Sequence, residues 1–469
     1  MMKPGAVHTF LPALLALVLH GLPSAAMATG LLEAWQAARE HDKEYAVARA
    51  AHEAAQTLRE QAHALWHPNL HLSGAAGVAG NETDTRGAQF SAPGFGQSAD
   101  VGFSTSVTRG TASRLALVAT QPLYNPKRHA EQRQLDRTAD LGALQWQSAE
   151  QSLILRTAEH YFALAIAEES VRIYRQQLDA VQKAADEAQE RFRLGDAPVT
   201  DTHEALAQLA TLQAQVLAAE SDLQLKRNLL ADRTGLAPDT LSANLPGGEK
   251  GAAEQLAPLD FWLAQAQANN PEIHAQRLAA EVAKQEAEKH SPSASASVDL
   301  IAQAGKERLS GSGHFGDASN SGTNWMVGVQ LTVPLFTGGY RSAKQAEALH
   351  LLDKAQAQSE QTKEHIAQQV RAAWLGLSVG AERIKALEQA QQASQARLDA
   401  TRLGRKIGER TTLELLNAEN ELATTSLSLA QARTERLLNR LRIRALIGQL
   451  DETALQAAQS ALATTAASR

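Results

Sequence analysis

The chain has 469 residues, of which 45 are basic and 51 acidic, and it contains no cysteine and only 4% aromatic residues. The absence of cysteine excludes a disulfide framework, thiolate metal ligands, a cysteine nucleophile and a lipidated N-terminal cysteine. The formal net charge of −6 gives no reason to expect nucleic acid as a partner. So few bulky side chains suit thin packing between long helices better than thick globular cores.

The first 28 residues have the order of a secretory signal peptide. Lys3 lies near the start, Phe10–Leu19 is apolar apart from one proline, and Ala26-Met27-Ala28 is a cleavage pattern. We therefore expect cleavage after Ala28. No later stretch approaches about 18 uninterrupted apolar residues, so a mature chain that crosses a membrane must do so as strands.

The rest of the chain contains two copies of one unit. Three pairs of landmarks keep an offset of 213 positions: Gly195 and Gly408, Asp201 and Glu414, Gly235 and Gly448. At an offset of 212, Pro122-Leu123-Tyr124 recurs as Pro334-Leu335-Phe336. Self-similarity over this range predicts a duplicated architecture. The predicted organisation is a first repeat over 29–240, a linker over 241–254, a second repeat over 255–450 and a disordered tail over 451–469.

Each repeat is predicted to contain a helix, a hairpin, a long helix and another helix. The predicted helices, free of internal proline, include Leu31–Trp66, Pro126–Arg193, Pro198–Thr234 and Arg341–Arg405. A helix over Pro126–Arg193 spans ~100 Å, which matches the two shorter helices of the first repeat stacked end to end. Looser alignment at the start of the repeats places Asp42 opposite Asn270.

Period-two alternation predicts the strands. It runs through Asn69–Ala79 and Leu115–Ala119 in the first repeat, and through Ser297–Leu300 and Trp325–Val333 in the second. The Gly- and Ser-rich stretches between them, 80–110 and 305–322, are predicted loops. Strands of about ten residues with one apolar face fit either a soluble hairpin or a membrane barrel.

The mature chain up to Leu450 resembles TolC-type outer-membrane efflux and secretion channels. The resemblance rests on the repeat, on the two Pro-Leu-aromatic junctions and on the turn segment Gly408–Ala418. The resemblance implies a mainly α protein with a transmembrane β-barrel portion. Three subunits of four strands each would close a twelve-stranded barrel in the bacterial outer membrane, above a periplasmic coiled-coil tunnel. Partners would be a periplasmic adaptor and an inner-membrane transporter of RND or ABC type. The strand-to-helix junctions would be marked by Pro122, Tyr124, Pro334 and Phe336.

The resemblance also implies a gate at the two helix turns, whose glycines are Gly195 and Gly408. Arg410 matches the basic member of a polar link and Asp201 its acidic partner. Two aperture-lining positions fall on Glu414 and Asn417, so one acidic ring is expected where relatives have two, with weaker cation affinity. Arg405 stands where an aromatic linker is expected, so a rearranged contact between Arg405 and Asp201 is conceivable. The alternative for all these charges is a solvated helix tip.

Other signals are weaker. His63, His67 and His71 follow helical spacing, but Pro68 interrupts the helix, so we interpret them as surface histidines and expect no metal and no cofactor. No catalytic motif is present, and we expect no enzyme. A periplasmic coiled-coil adaptor is the alternative function, although it would not repeat the helix–hairpin–helix unit. A coiled-coil spacer would leave the hairpins unexplained.

Overall fold

The computed structural model describes residues 29–94, 96–196, 198–247 and 256–462, so the predicted signal peptide and residues 463–469 lie outside the described part. The helices of the described part are α1 Leu31–His41, α2 Lys43–Ala64, α3 Pro126–Leu194, α4 Val199–Thr234, α5 Leu259–Asn269, α6 Pro271–Lys289, α7 Tyr340–Lys406, α8 Thr412–Leu446 and α9 Glu452–Ser460. Its strands are β1 Asn69–Ala92, β2 Gly96–Tyr124, β3 Ser297–Gly313 and β4 Gly316–Thr332. The two halves therefore share one order of elements.

The long helices α3 and α7 have 69 and 67 residues, which gives each a length of ~100 Å. They begin and end within one or two residues of the predicted bounds. Asn125 caps α3 by accepting a hydrogen bond from the Arg128 N–H at 3.0 Å, and Pro126 occupies the first helical position, where no N–H is needed. The partner helices α4 and α8, of 36 and 35 residues, return along the long helices.

The first helix of each repeat is broken, which the prediction of one helix over Leu31–Trp66 missed. Asp42 ends α1 and caps α2, with its side chain accepting from the Tyr45 N–H at 2.8 Å. Asn270 occupies the same position between α5 and α6 and accepts from the Ile273 N–H at 3.0 Å. Because a capping side chain competes with the helix for backbone donors, one Asp or Asn is enough to make the joint.

The joint in the first repeat carries a cluster of charges around Asp42, whose side chain is 1% exposed. Arg233 lies 3.0 Å from it and Arg156 3.3 Å, and both guanidinium groups also contact Glu44, at 3.0 and 2.7 Å. Burial alone would raise the pKa of Asp42, but the Tyr45 N–H and the two arginines outweigh it and hold the pKa below its ordinary value. Asp42 is therefore ionised and paired at neutral pH.

The four strands form one antiparallel sheet in the order β1-β2-β3-β4, so β1 and β4 are its edges. Cross-strand register brings Leu72, Leu117, Ala304 and Trp325 into one row. This face is apolar and exposed, with Trp325 78% accessible. No helix in the described part of the chain is long and apolar enough to cross a membrane.

The two predicted loops are wrong, because residues 80–110 and 305–322 continue the hairpins. β1 pairs with β2 up to Ala92 and Gly96, and β3 pairs with β4 up to Gly313 and Gly316. Apart from buried residues such as Ser106 and Val107, these stretches are mostly exposed on both faces, so little selects an apolar alternation there, and backbone hydrogen bonds are the main contacts of the ladder.

The prediction of a disordered tail is also wrong for its first part. Asp451 caps α9 by accepting from the Ala454 N–H at 2.9 Å, and Leu455 of α9 is fully buried in the main core beside α1. Gln459 accepts a hydrogen bond from the Leu32 N–H at 2.8 Å. Pro246 of the linker forms an isolated antiparallel β-bridge with Leu462, so the linker and the start of the tail are in contact. Small and apolar residues at helical spacing produce this docking.

We expect Asp42→Asn to lower the free energy of unfolding at pH 7 by about 2–4 kcal/mol. It keeps a capping side chain but leaves two guanidinium groups without their buried partner. Because both arginine side chains are about 30% exposed, the loss falls below that of a fully buried pair. Urea denaturation followed by circular dichroism measures it.

The stability difference between Asp42→Asn and the original chain should depend on pH. The folded-state pKa of Asp42 lies below the unfolded value of about 3.9, so its stabilisation is complete above that value. This stabilisation is lost as pH falls through the folded-state pKa, so that the unfolding free energies of the variant and the original chain converge at low pH. Asp140→Asn, which removes the exposed partner of Arg59, is the control and should cost less than about 1 kcal/mol. An equal loss at every pH would contradict the assignment.

Candidate functional site

The two helical hairpins end in turns of the same geometry, ~100 Å along α3 and α7 from the sheet. Gly195 and Gly408 have φ of 84° and 80°, in the left-handed region where glycine carries no steric cost. In each turn the next residue's N–H bonds back five positions, from Asp196 to Arg191 and from Glu409 to Gly404, at 2.8 and 2.9 Å. Both predicted turn glycines therefore terminate their helices by a Schellman-type motif.

The two turns lie side by side. A cleft of about 100 Å³ separates the start of α4 from the start of α8 and is lined by Asp201 on one side and Thr411 and Thr412 on the other. Beneath it, Leu416 of α8 packs with Ala205 and Leu209 of α4 in a small core. The structure thus brings the predicted gate residues of both repeats to one end of the molecule.

Arg410 and Glu414 form a unit with Thr411 at the start of α8. Thr411 and Glu414 make a reciprocal capping box, with the Thr411 N–H donating to Glu414 at 2.8 Å and the Glu414 N–H donating to the Thr411 hydroxyl at 3.1 Å. Arg410 contacts the same carboxylate at 2.6 Å. The Thr411 N–H first, and then Arg410, hold the pKa of Glu414 below its ordinary value. Glu414 is therefore both a structural cap and a charge at the turn.

Asp201 and Arg410 do not form an ion pair within this chain. Arg410 is engaged by Glu414, and the Asp201 carboxylate in the first turn of α4 has no side-chain partner among the described residues. Asn417 is exposed three positions after Glu414, on the same face of α8. The charged and amide side chains predicted to line an aperture are thus presented together.

Arg405 is paired with Glu187 and makes no contact with Asp201 in this chain. Its Nη2 lies 2.8 Å from Oε2 of Glu187 on α3, and its side chain is only 7% exposed. The N–H groups of Arg405 are not directed at the Glu187 carboxylate, so the contact is an ion pair without a hydrogen bond. Both terminal guanidinium nitrogens lack a hydrogen-bond partner within the described residues. This contact joins α7 of the second repeat to α3 of the first. The conceivable Arg405–Asp201 contact is replaced by it.

Sequence reasoning missed Glu187 and Thr411. Thr411 had a readable signal, because Thr-x-x-Glu before an apolar run is the pattern of a capping box. Glu187 had none, since it lies more than two hundred positions from Arg405 and is one of several acidic residues on an exposed helix. Only the packing of α7 against α3 selects it.

The junction residues lie at the opposite end of the long helices. Tyr124 ends β2 and is half exposed, whereas Pro334 and Phe336 follow β4 in the connection to α7, with Phe336 strongly exposed. Gln121 just before Pro122 donates to the Trp66 carbonyl at 2.8 Å and ties this junction to the end of the first helix pair. In the described residues, no group of three His, Asp or Glu side chains is placed to hold a metal, and His63, His67 and His71 form no such group.

A small sheet with an exposed apolar face, joined to helical hairpins of ~100 Å that end in paired turns, is the fold of the solved outer-membrane channels to which this chain is similar. The profile described as "Outer membrane efflux protein" matches residues 34–236 and 262–449. The chain belongs to this family. A periplasmic adaptor, the alternative that the sequence left open, is thereby excluded.

Individual relatives match along nearly the whole chain. The outer membrane protein TolC of Escherichia coli is 26% identical over 96% of this chain and 89% of its own length. The alkaline protease secretion protein AprF of Pseudomonas aeruginosa is 28% identical over 92% and 87%. Among solved structures, the outer membrane protein VceC of Vibrio cholerae superposes with a TM-score of 0.69 at 20% identity, over 90% of this chain and 97% of its own. The predicted fold class is confirmed.

We expect Glu187→Gln to lower the free energy of local unfolding at the turns by about 1–2 kcal/mol, since it leaves the Arg405 guanidinium buried without its counter-charge. The half-exposed position of Glu187 keeps the loss moderate. Hydrogen exchange at the ends of α3 and α7 should then be about 5–30 times faster. Glu190→Gln is the control, because Glu190 pairs with Arg193 on the same exposed helix surface. Equal exchange in both variants would contradict a bridging role for Glu187.

Proposed function

We propose that this chain is one third of a homotrimeric channel in the bacterial outer membrane. The observation that carries the proposal is the open four-stranded sheet, whose edges β1 and β4 carry unpaired backbone groups beside an exposed apolar face. Hydrocarbon does not tolerate free edges, so four strands need further strands to close a barrel. Three copies related by a threefold axis supply twelve strands and pair β4 of one subunit with β1 of the next.

The helices then form a tunnel that passes cargo from the periplasm to the exterior. Its partners are a periplasmic adaptor and an inner-membrane transporter of RND or ABC type, which choose the cargo. The description of the family and the name of AprF, an alkaline protease secretion protein, support a duct for efflux or protein secretion. The protein acts as a conduit and performs no enzymatic reaction. A signal peptide over residues 1–28 delivers the chain to the secretion pathway and is cleaved after Ala28.

The paired turns are the periplasmic gate. The Asp201 carboxylate is without a side-chain partner in the described chain, and Arg410 is held only by Glu414 in an exposed pair. Copied around the axis, Arg410 of one subunit can exchange from Glu414 to Asp201 of a neighbour at small cost, because solvent-exposed ion pairs contribute little to stability. Glu414 supplies one acidic ring at the aperture and Asn417 a neutral one. Weak links of this kind suit a gate that opens when a partner docks.

Fractionation of cells that express the full chain tests the assembly. We expect the protein in the outer-membrane fraction, extractable only with detergent, and trimeric in light scattering of the purified protein. A chain lacking β4, deleted over residues 316–332, should not trimerise, because it loses the edge that pairs with the next subunit. A water-soluble monomer of the full chain would exclude the channel.

Conductance in a planar bilayer tests the gate. Arg410→Ala and Asp201→Ala should each raise the single-channel conductance several-fold, because each removes a link that holds the turns closed. Arg193→Ala is the matched control, since Arg193 lies near the same turns but pairs with Glu190 along its own helix. A conductance unchanged in both gate variants would contradict the gate while leaving the trimeric channel standing.

A further inference from the structure

A cavity of about 690 Å³ opens between the two repeats, among α3, α6, α7 and α8. This volume lies within the range of about 300–1,000 Å³ that is usual for small-molecule sites. Its wall is partly apolar, through Leu155, Ile366 and Leu446, and partly polar, through Gln151, Glu272 and Arg442. The cavity lies at the joint capped by Asn270, far from the sheet and from the turns.

The first repeat fills the corresponding space with its own charged side chains. The offset of 213 aligns buried Leu153 with buried Ile366 and buried Leu164 with buried Leu377, so it holds along the middle of the long helices. With that offset, Arg156 corresponds to Gln369. The guanidinium group that sits against the joint in the first repeat is therefore absent from the second.

Three further replacements enlarge the space. Arg233 corresponds to Leu446, and the neighbours Glu159 and His160 correspond to Ala372 and Ala373. All three replacement residues line the cavity. The second repeat has thus lost both arginines and shortened two more side chains at a joint whose backbone course it keeps.

One carboxylate of the joint remains. Glu272 takes the position in α6 that Glu44 takes in α2, where Glu44 binds both arginines. Glu272 lines the cavity and has no ion pair or side-chain hydrogen bond within the described residues. The second repeat therefore keeps an acceptor for a guanidinium group that this chain does not provide.

Gln151 adds an unused hydrogen-bonding group. Its side chain on α3 is 7% exposed, lines the cavity and makes no side-chain hydrogen bond with any described residue. A ligand that reaches this amide gains hydrogen bonds that the described residues do not make with it. The cation in the wall, Arg442, already lies 2.9 Å from Glu159 and 2.7 Å from Glu435, so its charge is compensated.

We propose that this cavity binds an organic cation, with a guanidinium or amidinium group toward Glu272 and Gln151 and an apolar body against Ile366, Leu155 and Leu446. The bound group takes the place that Arg156 and Arg233 occupy in the first repeat. Its planar fork of N–H donors matches a carboxylate in two parallel hydrogen bonds. The site lies in the wall and does not depend on the gate.

Equilibrium dialysis of the full-length protein in detergent against naphthylguanidinium and the neutral, similarly shaped naphthylurea tests the proposal. We expect the cation to bind about tenfold tighter than the urea. Glu272→Gln should remove that preference. Gln369→Arg should abolish binding of the cation, because it places a guanidinium group of the chain at the position equivalent to Arg156.

Glu60→Gln on α2 is the control of equal charge change, since Glu60 is exposed, has no ion pair in the described chain and lies outside the cavity. It should leave both affinities unchanged. Circular dichroism melting establishes that each variant is folded, and Glu272→Gln decides the outcome if Gln369→Arg does not fold. Equal affinity for the two probes, absence of binding, or cation binding that survives Glu272→Gln overturns the proposal.

Discussion

The architecture depends on a joint at which two helix ends meet the side of a long helix. In each repeat a single capping residue ends one helix and starts the next, and the glycine that terminates the return helix packs directly against it. A Cβ atom at Gly235 would lie 2.4 Å from His41, and one at Gly448 would lie 2.5 Å from the Asn269 carbonyl oxygen. This close approach lets two shorter helices continue each other beside α3 or α7.

Duplication fixed the geometry of the joint but not its chemistry. The first copy fills it with a buried carboxylate and two arginines, whereas the second copy has Asn270, whose amide donates to the Leu446 carbonyl at 2.9 Å. Both solutions satisfy the backbone at the break. A neutral amide can do so without counter-charges, which relieves the second copy of the need for large cationic side chains and leaves space between its helices.

The repeat, the long helices and the turn glycines could be predicted from the sequence, because each rests on local rules: the absence of proline over nearly seventy residues, or a glycine after the last helical turn. The break at Asp42 is also local, but its signal is a single polar residue within a helical pattern. The full length of the hairpins could not be predicted, since strand segments such as those around Asp84 and Ser104 are mostly exposed on both faces and show no alternation. The partner of Arg405 could not be predicted either, because it depends on how α7 lies against α3.

The docking of α9 has a consequence for the order in which the chain folds. Leu31 and Trp35 of α1 share one core with Leu450, Leu455 and Ala458, which lie about four hundred residues further along the chain. Contacts between residues so far apart in sequence carry a large loop-closure cost, so this core is completed late. Until then the apolar face of α1 is incompletely covered, and a partly folded chain is distinguishable by chaperones and proteases from a folded one.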